Sequence, residues 1–282
     1  MEIRKVTVIG TGAMGSSIAY LCAWKGYNAF VREINEDLLK RGMGRIREMI
    51  VAGVSRGKLT PREAEEIMRR IKGSTDIAEA AKDADIVIEA VFEDMNVKKD
   101  VLKQLDAACP PRSILASNTS ALSISEMASA TKRPDKVVGL HFFNPAYAMK
   151  LVEVVMGNHT SEETRKIAND FAISLDKETV TVKDTPGFVV NRVLGAALGE
   201  AIFLLQEGVA SAEDIDKAIM LGLNWPMGPL RLADFVGLDI ALDVAKTIYA
   251  ALGEKYEPPS LLEEKVKAGH LGMKTRKGFY TY

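Results

Sequence analysis

Only two cysteines, Cys22 and Cys109, occur in the 282 residues, and they stand far apart in the chain. That spacing suits neither a disulfide framework nor a zinc site, so reduced thiols and no metal are expected. Charge of one sign is missing too: 37 basic residues against 38 acidic ones leave a formal net charge of −1. Aromatics are 6% of the chain and are not interleaved with a basic stripe, which argues against nucleic acid as a partner. No uncharged apolar run reaches the roughly 18 residues of a membrane span. No charged leader or cleavage site precedes the first apolar run, so a cytoplasmic location is expected. What is present is ordinary for a folded protein, with 47% hydrophobic and 27% charged residues. That supplies apolar material for two domains.

The pattern along the chain is an alternation of strand and helix signals. Lys5–Ile9 is a short β-branched run that stops at Gly10, and 12–26 then carries Met14, Ile18, Leu21 and Cys22 at helical spacing. Asn28–Arg32 reads as a second strand ending at Glu33. Residues 35–72 read as two antiparallel helices broken at 53–57, the second opened by Thr60-Pro61 with Glu63 in the capping-box position. Strands are expected at 86–91, 113–116, Val137–Phe142, Leu151–Met156 and 178–182, with helical segments joining the first three and a helix over 162–175. After Asp184-Thr185-Pro186-Gly187 strand signals nearly vanish, and helices are expected over 188–206, 212–221, 229–252 and 260–268. The fold class is therefore α/β: a Rossmann-like doubly wound sheet with an inserted helical pair over 1–184, then an all-α domain over 185–282. The helix 188–206 is apolar around most of its circumference, which calls for burial by its own domain or by a partner subunit.

Chemistry concentrates where strands end. Gly10-Thr11-Gly12-Ala13-Met14-Gly15 is a G-x-G-x-x-G in the strand–turn–helix setting that a dinucleotide pyrophosphate requires. Gly10 permits the turn, Gly12 admits the phosphates, Gly15 lets helix and strand pack, and the amides around Ala13 and Met14 face the ligand. Glu33 ends the second strand, where a carboxylate accepts hydrogen bonds from ribose hydroxyls and repels a 2′-phosphate; this favours NAD over NADP, with Arg32 next door pulling the other way. Glu89 and Glu93, then Ser117, Asn118, Thr119 and Ser120, follow successive strands at the binding crevice. Capping is the plain alternative for Ser120, a task Ser123 or Ser125 could take instead. For Lys98 and Lys99 the plain alternative is a solvated helix face. His141 ends the next strand, and Glu153 lies in the one after. A Pro-containing link between them can fold the two strands together, letting the carboxylate fix the imidazole tautomer and leave the other nitrogen as a base. A satisfied core histidine beside a surface glutamate is the competing account.

These motifs together resemble the L-3-hydroxyacyl-CoA dehydrogenase family, most of all its short single-function 3-hydroxybutyryl-CoA members. The resemblance spans essentially the whole chain. It runs through the glycine motif, Val-Ile-Glu-Ala-Val at 87–91, Ala-Ser-Asn-Thr-Ser at 116–120, His-Phe-Phe-Asn-Pro at 141–145 and Lys-Leu-Val-Glu at 150–153. It continues in Pro-Gly-Phe-Val-Val-Asn-Arg at 186–192, Pro-Met-Gly-Pro-Leu at 226–230 and Lys-Gly-Phe-Tyr at 277–280. It implies that His141 is the base, that Glu153 orients it, and that Ser120 and Asn191 hydrogen-bond the reacting oxygen and its neighbours. Glu93 and Lys98 would line the nicotinamide end of NAD, with Asn118 beside them and Asn144 on the substrate side. The helical pair would cover the CoA moiety, giving Arg56 and Lys58 a role against its anionic arm. A homodimer through the C-terminal helices is implied, with separate hydratase and thiolase enzymes as pathway neighbours.

The chain departs from the family pattern at Thr11, Glu33, Tyr147, Trp225, Arg231 and Arg276, where alanine, aspartate, proline, histidine, glutamate and glycine are usual. None of these removes a proposed catalytic group; Tyr147 and Trp225 bear on acyl chain length. Two other activities compete with the thioester reading. One is a related dehydrogenase of sugar acids, and the other a non-catalytic NAD(H)-binding protein of the same fold.

Overall fold

The β-branched run Lys5–Ile9 forms β1, buried along its length beyond Lys5. In the computed structural model, which describes residues 2–282, β1 lies inside one eight-stranded sheet. The others are β2 (Asn28–Arg32), β3 (Ile71–Ser74), β4 (Ile86–Glu89), β5 (Ile114–Ser117), β6 (Val137–Phe142), β7 (Leu151–Met156) and β8 (Glu178–Lys183). Their order is β3-β2-β1-β4-β5-β6-β7-β8. Pairs from β3 through β6 are parallel, β6 and β7 are antiparallel, and β7 and β8 are parallel. The strand order reverses direction between β1 and β4, and a doubly wound sheet opens its ligand crevice at that switch. This is the Rossmann-like sheet expected from the sequence.

The chain divides after Asp184, and Thr185–Tyr282 forms a second unit. Among the described residues seven α-helices serve the first: α1 (Ala13–Trp24), α2 (Glu36–Ser55), α3 (Pro61–Arg70), α4 (Ile77–Ala81), α5 (Met95–Ala108), α6 (Ile124–Ala128) and α7 (Glu162–Ser174). The inserted pair is α2 and α3. Asn35 caps α2 by accepting from the Leu38 amide, and Thr60 with Glu63 completes a capping box on α3. Buried Leu39, Gly42, Ile46 and Ile50 recur at helical spacing and seat α2. Gly42 is needed there, because a Cβ at that position would come within 2.0 Å of the Thr11 hydroxyl.

Several boundaries differ from the sequence reading. The segment 35–72 is not helical to its end: Ile71 opens β3, which pairs with β2 as an edge strand. Four residues with one apolar side chain carry too little pattern to reveal a strand that exists because β2 offers it a ladder. The strand placed at 86–91 stops at Glu89, and that placed at 113–116 runs Ile114–Ser117. The helix expected over 229–252 is two, α10 (Pro229–Val236) and α11 (Leu238–Leu252), separated by Gly237 at φ +106°.

The second unit is helical, as expected: α8 (Val190–Gln206), α9 (Ala212–Leu223), α10, α11 and α12 (Ser260–Lys267). Its core gathers Leu198, Ile202, Ile215, Leu230, Leu238 and Leu242. Two buried aspartates fasten its loops and tail. Asp216 accepts from the Leu230 and Arg231 amides and from the Tyr280 hydroxyl. Asp234 accepts from the Phe279 and Tyr280 amides and the Tyr282 hydroxyl, pinning the final residues. Satisfied on every side, each carboxylate is tolerable in the interior. Among the described residues, no helix is long and apolar enough to cross a membrane.

Candidate active site

The glycine turn joins β1 to α1. Gly10 has φ +91°, and a Cβ there would stand 2.7 Å from the Ala90 carbonyl oxygen. At Gly15 a Cβ would fall 1.8 Å from the Gly10 oxygen, so only glycine lets α1 approach β1 this closely. Gly12 is different: a Cβ there meets nothing within 4 Å. Together with exposed Ala13 and an α1 N-terminus that no side chain caps, the turn has the room and the donors that a pyrophosphate needs. Glu33 follows β2, and its Oε1 accepts from the Thr11 amide at 2.5 Å and the Thr11 hydroxyl at 3.1 Å. The neighbouring Arg32 is anchored elsewhere, donating from Nε to the Thr75 carbonyl.

At the ends of β4 and β5 sits a charged group that the sheet encloses. Glu89 is the last residue of β4 and has no exposed surface. Its Oε1 accepts from the Val91 amide at 2.7 Å and from Lys98 Nζ at 2.8 Å, and its Oε2 from the Ser117 hydroxyl at 2.7 Å. Lys98, on the first turn of α5, is 1% exposed and also reaches Glu93 Oε2 at 3.1 Å. Glu93 Oε1 in turn accepts from the Thr119 hydroxyl and from the Ser120 amide. Asn118 spends its side-chain oxygen on the Phe142 amide, tying the β5 loop to the end of β6. Ser120 does not cap a helix; Ser123 caps α6, where Asp184 also accepts from Ser123, Ile124 and Ser125.

His141 and Glu153 face each other across the β6–β7 ladder as direct partners in register. The link 143–150 is too short for the dozen residues or more that a parallel crossover needs, so the chain returns antiparallel. Opposed residues share a face, and His141 Nδ1 lies 2.7 Å from Glu153 Oε2. Glu153 is fully buried, His141 nearly so, and the Phe143 ring packs 4.5 Å from the imidazole. Asn144 is exposed and precedes Pro145 through a cis peptide bond. Arg56 and Lys58 lie on the exposed turn between α2 and α3. Asn191 stands on the first turn of α8, in the second unit.

Neither cysteine is a candidate nucleophile. Burial pushes the Cys22 thiol up to about 12 and the Cys109 thiol up to about 11, so both stay protonated at neutral pH.

Residues 5–185 match the model of the 3-hydroxyacyl-CoA dehydrogenase NAD binding domain, and 187–282 match that family's C-terminal domain. The chain belongs to the 3-hydroxyacyl-CoA dehydrogenase family. It is thus an oxidoreductase with an NAD-binding domain. A 3-hydroxybutyryl-CoA dehydrogenase of Clostridioides difficile is 44% identical, with 99% of each chain covered. Among solved structures, FadB2 of M. tuberculosis superposes with a TM-score of 0.98 at 42% identity, over 100% of both chains. The (S)-3-hydroxybutyryl-CoA dehydrogenase PaaH1 of Ralstonia eutropha gives 0.95 at 41%, over 100% of this chain and 99% of that one.

Within this dehydrogenase fold, sequence reasoning passed over the part played by Glu89 and treated Lys98 as open to a solvated reading. The signal was available for Glu89, though not for which lysine meets it. A glutamate closing the otherwise apolar strand Ile86–Glu89 must be buried, and a buried carboxylate needs a cation and donors nearby. Lys98, nine residues on, is the cation that the turn and α5 return to it.

Proposed function

We propose that this protein reversibly oxidises (S)-3-hydroxyacyl-CoA thioesters, 3-hydroxybutyryl-CoA in particular, to 3-ketoacyl-CoA. The observation that carries the reading is the buried His141–Glu153 pair at 2.7 Å, at the same carboxyl end of the parallel strands as the glycine turn. With Glu153 on Nδ1, the imidazole presents Nε2 as the base that accepts the substrate's 3-hydroxyl proton. The carboxylate stabilises the imidazolium that results and returns the ring to the same tautomer each cycle. NAD, when bound, supplies the hydride acceptor for the hydrogen on C3. Ser120, whose amide is fixed by Glu93, and Asn191 are assigned the hydrogen bonds to the reacting oxygen. Arg56 and Lys58 are assigned to the phosphates of the CoA arm.

Glu33 supports NAD over NADP. Thr11 holds its carboxylate at the turn, where a 2′-phosphate would meet it charge against charge, and Arg32 is tied to Thr75 instead. A homodimer through the helices of the second unit is supported by apolar side chains left outside: Val193 is 64% exposed, Leu221 77%, Leu223 62% and Phe235 59%. Exposed apolar side chains of this size mark an interaction surface where they lie together.

The test is NADH oxidation with acetoacetyl-CoA against free acetoacetate and a sugar keto acid, run on the parent and on His141→Ala. Fast turnover is expected only with the thioester. The variant should lose about 10²–10⁴-fold in kcat while its affinity for NAD stays near the parent's. Equal rates with a free acid would overturn the substrate assignment, and an active His141→Ala protein would overturn the mechanism.

A further inference from the structure

The enclosed group at the ends of β4 and β5 holds two carboxylates and one ammonium. The named contacts to Glu89 and Glu93 come from donors: amides of Val91 and Ser120, hydroxyls of Ser117 and Thr119, and Lys98 Nζ. Acceptor sites on both carboxyl groups are thus met by donors, and counted at formal charge two carboxylates and one ammonium leave the group at −1. The placement of that charge matters. Glu89 and Lys98 are sealed in, at 0% and 1% exposure, and the ammonium is shared between Glu89 at 2.8 Å and Glu93 at 3.1 Å; Glu93 is 43% exposed. The surplus negative charge of the three therefore lies toward the exposed member, Glu93.

Strand order says what would lie there. Glu33 follows β2 on one side of β1 and would take the ribose of the adenosine half, and the glycine turn the phosphates. The other half of the dinucleotide is then directed to the opposite side of β1, toward β4 and β5. That half changes charge in the reaction: the oxidised nicotinamide ring is a cation and the reduced ring is neutral.

Resting on the NAD-binding reading above, we propose that Glu93, only partly neutralised because it shares Lys98 with Glu89, makes this site discriminate between the oxidised and reduced dinucleotide by charge. Lys98 serves as a positioning residue: it holds the Glu93 carboxylate at the mouth while Glu89 shares its charge. A low-permittivity wall behind an exposed charge strengthens its field in the cleft. The net charge of the three residues, rather than the identity of any one, sets the preference.

The experiment measures dissociation constants for NAD+ and NADH by calorimetry on the unliganded full chain and takes their ratio. Glu93→Gln and Glu89→Gln each bring the group to zero. Each is expected to raise Kd(NAD+)/Kd(NADH) about tenfold, the scale of one partly screened unit charge. The double variant Glu89→Gln/Lys98→Met restores −1 and is expected to keep the parent ratio. If circular dichroism shows either glutamine variant unfolded, Glu93→Ala makes the same charge change at the more exposed position. A purely structural role would weaken both forms together and leave the ratio constant; that result, or a shift in the charge-restored double variant equal to that of Glu93→Gln, overturns the proposal. A parent protein that binds neither form overturns the NAD-binding reading as well, so the two failures are distinct.

Discussion

Single residues in this protein show where local chemistry is obeyed and where it is strained. Gly10 and Gly15 are dictated by backbone clearance, and the glycine spacing announced them. Arg276 is the opposite case. It sits at φ +57° after the 3-10 turn Met273–Thr275, where the sequence resemblance leads one to expect glycine. A left-handed conformation costs a non-glycine residue roughly 1–2 kcal/mol, and the exposed Arg276 side chain has little packing to offset it. Arg276→Gly is expected to stabilise the protein by up to about 1 kcal/mol after glycine's own entropic cost. A thermal melt checks this, and a lower Tm would show that the guanidinium matters more than the backbone. Lys98 illustrates what a residue-level reading lacks. Nothing in Met-Asn-Val-Lys-Lys distinguishes Lys98 from Lys99, yet the first is sealed against Glu89 and the second pairs with Glu126 at 29% exposure. One helix position apart, about 100° of rotation decides it.

At the level of elements, the β6–β7 hairpin and the C-terminal tail each depend on partners far apart in sequence. The hairpin was legible because its link is short and His141 and Glu153 fall in register. The tail was not. Lys-Gly-Phe-Tyr reads as a loop until Asp216 and Asp234 are seen to hold it, with the Arg231 guanidinium 4.4 Å over the Tyr280 ring. This clasp titrates. Burial and the hydrogen bond to Asp216 push the Tyr280 phenol above its ordinary range; burial and Asp234 push Tyr282 up to about 12. The folded protein keeps these protons at a pH where the unfolded chain, near 10, releases them. Their contribution is complete below about pH 10 and is lost as pH rises toward the folded value of about 12. Tm is therefore expected to fall across that interval, less steeply in Tyr280→Phe/Tyr282→Phe; identical slopes in parent and variant would remove the clasp from the account.

For the molecule as a whole, two units with different construction rules succeed one another along the chain. The first is a sheet whose helices cover it in the alternating manner the sequence pattern demanded. The second hides Leu198 and Ile202 of α8 but leaves Val193 outside, although the sequence pattern asked for burial on several sides. A second copy of the chain is the proposed cover. Light scattering at micromolar concentration is expected to give about twice the chain mass, and Leu221→Glu to shift it toward a single chain. A parent that scatters as one chain would leave those helices without the proposed partner.

The amino-acid order alone determined the glycine turn, the strand–helix alternation, the capping box of α3, the change of class near Thr185 and the opposition of His141 to Glu153. All of these arise from interactions within one turn, one strand or one short link, where spacing and residue type are sufficient. Only the tertiary structure decided that Ile71 joins an edge strand, that Lys98 is buried between Glu89 and Glu93, and that two aspartates fasten the tail. Those outcomes rest on which distant segments meet in a low-permittivity interior. There a charge must find its counter-charge, and a strand its neighbour, wherever in the chain that partner lies.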